Sequence, residues 1–128
     1  MKTISVRQPW AWALFHGKDI ENRPWATHYT GPLLIHASKT FDYEGLKWIQ
    51  KNFPITIAPF IPGTDFLSFG AIIGKVRMTD CIIHSSSPWF FGPYGFLFTD
   101  PVEFKTPIPY RGRLKFFDVP DELIKELL

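Results

Sequence analysis

Polar and apolar residues alternate over Thr3-Ile4-Ser5-Val6, the period of a half-buried strand. Gln8-Pro9 then changes the pattern. Proline is tolerated at a first helical position because the N–H it lacks would have had no partner there, so a helix is predicted over Trp10-Ala11-Trp12-Ala13-Leu14-Phe15, stopped by Gly17. Trp10 and Leu14 share one helical face, as do Ala11 and Phe15, and this surface is predicted to be core. Lys18-Asp19-Ile20-Glu21-Asn22-Arg23 runs into Pro24, which biases Arg23 toward extended chain. Read that way, Asp19, Glu21 and Arg23 fall on one face, with Lys18, Ile20 and Asn22 on the other.

The continuous apolar run Gly31-Pro32-Leu33-Leu34-Ile35-His36-Ala37 suits a central strand buried on both sides. Phe41 to Asn52 reads as a second helix, with Leu46 and Ile49 on one face and Lys47 and Lys51 on another. Phe53 to Phe69, punctuated by Pro54, Pro59, Pro62 and Gly63, is expected to be a long ordered loop. The run from Gly70 to Ile83 is the longest strand candidate, and Gly74 inside it predicts a bulge or bend that lets a sheet curl. Tyr94 to Phe98 and Gly112 to Phe117 supply two more strands. Val102 to Pro109 is expected as an edge strand limited by Pro107 and Pro109, and the acidic tail, about 118–128, as a short amphipathic helix. The expected fold is therefore α+β: one domain over residues 1–128, built as a small curled mixed sheet or mixed β-barrel of about five to six strands with about two or three short helices.

Composition narrows the function classes. Of 128 residues, 45% are hydrophobic and 17% aromatic, enough for a buried core and incompatible with a disordered chain. Twelve prolines and nine glycines exclude a simple helical bundle. A lone Cys81 allows no internal disulfide and no cysteine pair for zinc, which favours the reducing cytoplasm as the expected location. No apolar run approaches the roughly 20 residues of a membrane span, and Arg7 and Gln8 interrupt any signal-peptide core. The net charge of +2 is weak, but it divides unevenly. Asp118, Asp121, Glu122 and Glu126 oppose a single Lys125 in the tail, leaving the preceding body with a surplus of five positive charges.

No glycine-rich phosphate loop, nucleophile elbow or metal-binding histidine spacing occurs; His16, His28, His36 and His84 are scattered. No metal and no cofactor are expected. The densest polar cluster is Lys18, Asp19, Glu21, Asn22 and Arg23, flanked by Trp10, Trp12 and Trp25. Cations beside flat aromatic faces are what a single-stranded nucleic acid requires, since phosphates need charge and bases need stacking surface. The same residues can instead form an ion-pair network over a tryptophan core. A third reading makes Lys18 a base or nucleophile with Glu21 handling a proton. His36, alternating with Leu34, reads as a core or barrel-lining imidazole, and Ser38-Lys39-Thr40 as helix capping or phosphate contact. Trp89 to Phe96 is either a stacking platform, a core plug or a protein-interaction surface, and Arg111-Gly112-Arg113 a phosphate contact.

Several segments together resemble the ASCH family, the activating signal cointegrator homology domains of the PUA-like group of β-barrels. They are Ser5-Val6-Arg7-Gln8-Pro9-Trp10-Ala11, Lys18-Asp19-Ile20-Glu21-Asn22-Arg23-Pro24-Trp25 and Gly31 to Lys39, followed by Gly70 to Gly74, Phe91 to Gly95 and Pro107 to Gly112. The resemblance implies a cleft beside the first helix that binds RNA or other nucleic acid, or a nucleotide-like small molecule, and no membrane. The family pattern of Lys, Glu and Arg falls on Lys18, Glu21 and Arg23, although the family usually places a glycine two residues before the lysine and here Gly17 directly precedes it. Arg7, Trp10, Trp25, Lys39, Tyr94 and Arg111 are the other expected contacts. One branch looks like acetylcytidine amidohydrolases that use a lysine, a threonine and a glutamate, and other relatives have been proposed as ribonucleases. Lys18 matches that lysine, but Glu21 stands where the threonine would be. The expectation is thus an RNA-binding module, with a hydrolase using Lys18 and Glu21 as the alternative.

Overall fold

In the structure, a computed structural model that describes residues 1–127, the opening alternation becomes β1 (Lys2–Gln8), with Ile4 and Val6 in the core. A single helical turn, α1 (Trp10–Ala13), follows, and winding ends at Gly17, whose φ of +115° suits a residue without Cβ. The chain continues through β2 (Ile20–Arg23), β3 (Gly31–Phe41), α2 (Tyr43–Asn52), β4 (Ala71–Ile82), β5 (Tyr94–Pro109) and β6 (Phe116–Asp118), with four short 3-10 turns among the described residues. Two of those turns, Ala58–Phe60 and Thr64–Phe66, lie in the proline-punctuated loop. Among the described residues no helix is long and apolar enough to cross a membrane.

All six strands join one mixed sheet in the order β2-β5-β4-β3-β1-β6. β1 runs parallel to β3 and every other pairing is antiparallel. The expected double burial of β3 is observed: Leu33, Ile35 and Ala37 enter the core with Ile4, Val6 and Phe96, while Leu34 enters a second one with Ile72, Phe117 and Ile124. A third cluster, Ile20, Ile49, Ile57 and Trp89, lies under α2 and the loop that follows it.

A closed barrel is not what the backbone makes. Among the described residues β2 and β6 are the sheet's two edges, and no ladder joins them. Side chains nevertheless bridge the curl. Arg23 of β2 donates through Nη2 to the Ser5 carbonyl of β1 at 2.7 Å, and Trp25 packs edge-on against both Phe96 and Phe116, with ring centroids 5.0 and 5.1 Å away. Register shifts in the β4–β5 ladder, one of them at Gly74, provide the curvature. A Cβ at Gly74 would lie 2.4 Å from the Val102 carbonyl oxygen and 2.6 Å from the Phe15 ring, so only glycine allows this approach.

Three elements depart from the sequence pattern. The two short runs expected at Tyr94–Phe98 and Val102–Pro109 are one 16-residue strand, β5. Beyond Leu97 it has only β4 as a neighbour, so Pro107 and Pro109 do sit on a local edge. The strand expected from Gly112 shrinks to Phe116–Asp118, because Lys115 takes a φ of +57° and breaks the extended run. The tail is not an α-helix over 118–128 but two 3-10 turns, Asp121–Leu123 and Lys125–Leu127, and Leu128 lies outside the described residues. Ile124, fully buried, breaks helical winding with a φ of −128° as it enters the second core.

Candidate functional site

Strand parity places Lys18 opposite Glu21, yet the two touch. Lys18 precedes β2, with its N–H bonded to the Ala13 carbonyl, so its side chain is free of the strand's alternation and turns back beneath it. Its Nζ donates to Glu21 Oε1 at 2.8 Å and to the Ile20 carbonyl. Arg23 donates to the other oxygen, Oε2, through Nη2 at 2.9 Å and Nε at 3.2 Å. Lys18 is 3% exposed and Glu21 8%, so a buried ion pair, joined by a half-buried Arg23, sets one carboxylate between two cations. Burial alone would raise the Glu21 carboxyl, but the charges and hydrogen bonds of Lys18 and Arg23 outweigh it and hold the pKa below the ordinary 4.5. Glu21 is therefore an ionised acceptor at neutral pH.

The trio forms the floor of a cleft of about 380 Å³ beside α1. Trp10 is one wall. Its indole packs against Trp48, Trp89 and Phe91 at centroid distances of 6.0, 6.4 and 6.1 Å, and Lys18 Nζ lies 5.5 Å from its ring. Asp42 orients it: Oδ2 accepts from Trp10 Nε1 at 2.8 Å while Oδ1 caps α2 by accepting from the Gly45 N–H at 2.9 Å. Burial raises the Asp42 carboxyl, but the bonds from Trp10 and Gly45 and the nearby Arg7 lower it further, for a net depression. Arg7, 57% exposed in its side chain, stands at the rim, 3.5 Å from that carboxylate. Asn22 completes the cleft: its Nδ2 donates to the Trp89 carbonyl, and its Oδ1 accepts from the Phe91 and Gly92 N–H groups. Three cations thus meet two carboxylates here, and all three are partnered.

The aromatic stretch divides between roles. Trp89 stacks on Phe53 at 4.4 Å and Phe96 is fully buried, whereas Phe91 is half exposed at the cleft.

Lys39 and Arg111 do not reach this cleft. They line a second cavity of about 870 Å³, which shares Ser5 with the first. His36 sits in its wall, 2% exposed. Its Nε2 is 2.6 Å from the Tyr110 carbonyl oxygen, which can only accept, so that nitrogen carries the proton and the neutral ring's Nδ1 accepts from Ser5 Oγ at 2.8 Å. Burial depresses the His36 pKa below 6.5, and the bond to Tyr110 only partly offsets this.

Of the expected contacts, Arg7, Trp10, Lys18, Glu21 and Arg23 come together in the first cleft, and Lys39 and Arg111 in the second cavity. Trp25 and Tyr94 line neither and pack against the core. Ser5 and Asp42 lie outside the expected contacts, whereas Asn22 belongs to the polar cluster and Phe91 to the aromatic stretch that the sequence singles out. Asp42 has a readable signal, a capping residue directly before the helical run; Ser5 reaches the cleft only through the fold. Among the described residues no three or more His, Cys, Asp or Glu side chains converge as a metal site would require.

The ASCH domain model matches residues 4–94. None of the curated proteins matches the chain in sequence. The fold is similar to the crystal structure of ASCH from Zymomonas mobilis, with a TM-score of 0.57 at 14% identity over 98% of this chain and 92% of that one. A serine-to-alanine variant of the same bacterial protein gives 0.53 at the same identity and coverage. At that identity the likeness speaks for the fold alone.

Proposed function

The chain belongs to the ASCH domain family, and from that membership and the cleft beside α1 we propose that it is an RNA-binding module which takes a base into the cleft. The observation that carries this is the Lys18–Glu21–Arg23 trio set beneath the fixed indole of Trp10. A volume of about 380 Å³ suits one base or nucleoside, near the lower end of the roughly 300–1,000 Å³ typical of ligand sites. Trp10 and the exposed part of Phe91 offer stacking faces, and Asn22 and the trio offer polar atoms for a base edge. Lys18 and Arg23 are both tied to Glu21, so their part is base recognition, while the exposed Arg7 is the phosphate contact at the rim.

The alternative is a hydrolase acting on RNA or a modified nucleoside through Lys18 and Glu21. Glu21 has both oxygens held by cations and, being ionised, has no proton to give as a general acid.

The test is fluorescence anisotropy with short single-stranded RNAs at several salt concentrations. Arg7→Ala is expected to weaken all sequences alike and reduce the salt slope by about one. Phe91→Ala is expected to weaken binding about tenfold through lost stacking. Binding indifferent to both variants overturns the reading. RNA cleavage, or deacetylation of acetylcytidine, that disappears in Lys18→Ala would replace it with the hydrolase.

A further inference from the structure

The cavity on the far side of Ser5 differs from the cleft in charge. Lys39, Arg111 and Arg113 line it and no carboxylate does. None of the three is in an ion pair among the described residues. Ser38 is also in its wall, and Ser38 Oγ is, among the described residues, the one buried side-chain polar atom with no hydrogen-bond partner. Buried hydroxyls are ordinarily satisfied, and here the chain itself offers no partner.

The backbone that carries these cations is held by the framework, while the three side chains are themselves exposed. Arg111 and Arg113 follow Tyr110, whose carbonyl accepts from His36 Nε2 of β3 at 2.6 Å and whose N–H donates to the Gly70 carbonyl at 3.1 Å. Between the two arginines the backbone crosses directly over that strand pair: a Cβ at Gly112 would lie 2.6 Å from Ser5 Oγ and 2.7 Å from His36 Cε1. The Lys39 stem lies along Gly70, where a Cβ would be 3.3 Å from its Cε. Two segments some 70 residues apart in sequence thus bring their cations to the lining of one space. Like charges arranged this way repel one another, and a bound anion removes the cost.

We propose that this cavity is a phosphate-binding site, with Lys39, Arg111 and Arg113 as its cations and Ser38 Oγ as a hydroxyl donor. The site stands on the cavity alone; that the phosphate belongs to the RNA whose base enters the cleft beside α1 rests on the reading above. Because both spaces have Ser5 in their walls, one strand can lay a base on one side and a phosphate on the other. The cleft reads the base, with Arg7 on a phosphate at its rim, and the cavity with unpaired cations takes a further phosphate.

Titration of the full chain with inorganic pyrophosphate at low salt, followed by amide NMR, tests this directly. Saturable shifts are expected at Lys39, Gly70, Arg111, Gly112 and Arg113. Arg111→Gln or Arg113→Gln should each weaken the affinity about tenfold, the loss of one charge-assisted contact, with the rest of the spectrum unchanged. Ser38→Ala should weaken it less. Absence of saturable shifts, or affinity unaffected in the double arginine variant, overturns the proposal whatever RNA does. In a second arm, Arg113→Gln should reduce the salt slope of single-stranded RNA binding by about one. If that slope holds while pyrophosphate binding is lost, the phosphate site stands and serves a free phosphate instead. If RNA does not bind at all and pyrophosphate does, the cleft reading falls and the phosphate site remains.

Discussion

The indole of Trp10 and the carboxylate of Asp42 are joined by an N–H···O bond of 2.8 Å, and through it the wall of the cleft is tied to the start of α2. The other Asp42 oxygen caps that helix at the Gly45 N–H. Asp42→Ala removes both bonds at once. The cap is worth about 1 kcal/mol and the stranded indole N–H about another 1 kcal/mol. Urea denaturation should show a lower midpoint with an unchanged slope, and Asp42→Asn, which keeps a capping oxygen, should lose less. Equal stability of Asp42→Ala and the wild type would mean that the cap and wall are not coupled in this way.

Gly45 is the companion to that contact. A Cβ there would lie 2.6 Å from Trp10 Nε1 and 2.7 Å from Cε2, inside any real contact distance. Gly45→Ala gains about 1 kcal/mol of helix propensity and incurs about 1–3 kcal/mol of overpacking against a large, well-packed ring. The steric term wins. The variant is expected to be destabilised by up to about 2 kcal/mol, with a shifted tryptophan emission spectrum. A more stable protein with unaltered emission would show that the ring can give way freely.

The residues of the cleft were legible to different degrees, for physical reasons. The Lys18, Glu21 and Arg23 cluster could be read because its members are close in sequence, and β1, β3 and α2 because their apolar periods match the element. Strand parity puts Lys18 on the wrong face because parity holds only inside a strand, and Lys18 lies before one. Arg111 and Lys39 could not be separated from the cleft residues by sequence, since which side of Ser5 they reach depends on how Gly112 crosses β1 and β3. Closure is not legible for a related reason: strand number and glycine bends predict curl, but closure needs β2 and β6 to meet in register, and β6 has only three residues.

His36 makes the framework sensitive to mild acid. Its folded pKa lies below the ordinary 6.5, so below that value the unfolded chain takes up a proton that the folded one resists. Stability is therefore unaffected by this group above pH 6.5 and falls as pH drops from there toward the folded value. Urea midpoints at about pH 7.5 and about pH 5.5 should differ more in the wild type than in His36→Asn. His16, His28 and His84 remain in both proteins and cancel in the comparison. An identical pH dependence in the two would show that His36 protonates as easily folded as unfolded.

Lys18 and Glu21 should prove strongly interdependent. Removing either partner of a buried ion pair leaves the other uncompensated, a loss of about 3–5 kcal/mol, whereas removing both avoids that penalty. Lys18→Met leaves Glu21 with Arg23 as its sole cation, and Glu21→Gln leaves two cations facing a neutral amide. The double variant should therefore cost less than the two singles together, with a coupling of about 1–3 kcal/mol. Acid gives an independent readout. The Glu21 carboxyl has its folded pKa below 4.5, so its stabilisation is complete above that value and is lost as pH falls below 4.5 and through the folded value. Glu21→Gln should flatten the stability curve in that window, and Lys18→Met should flatten it partly, because Arg23 still holds the carboxylate. Additive single variants with unchanged acid profiles would show that the trio is three solvated charges and not a coupled unit.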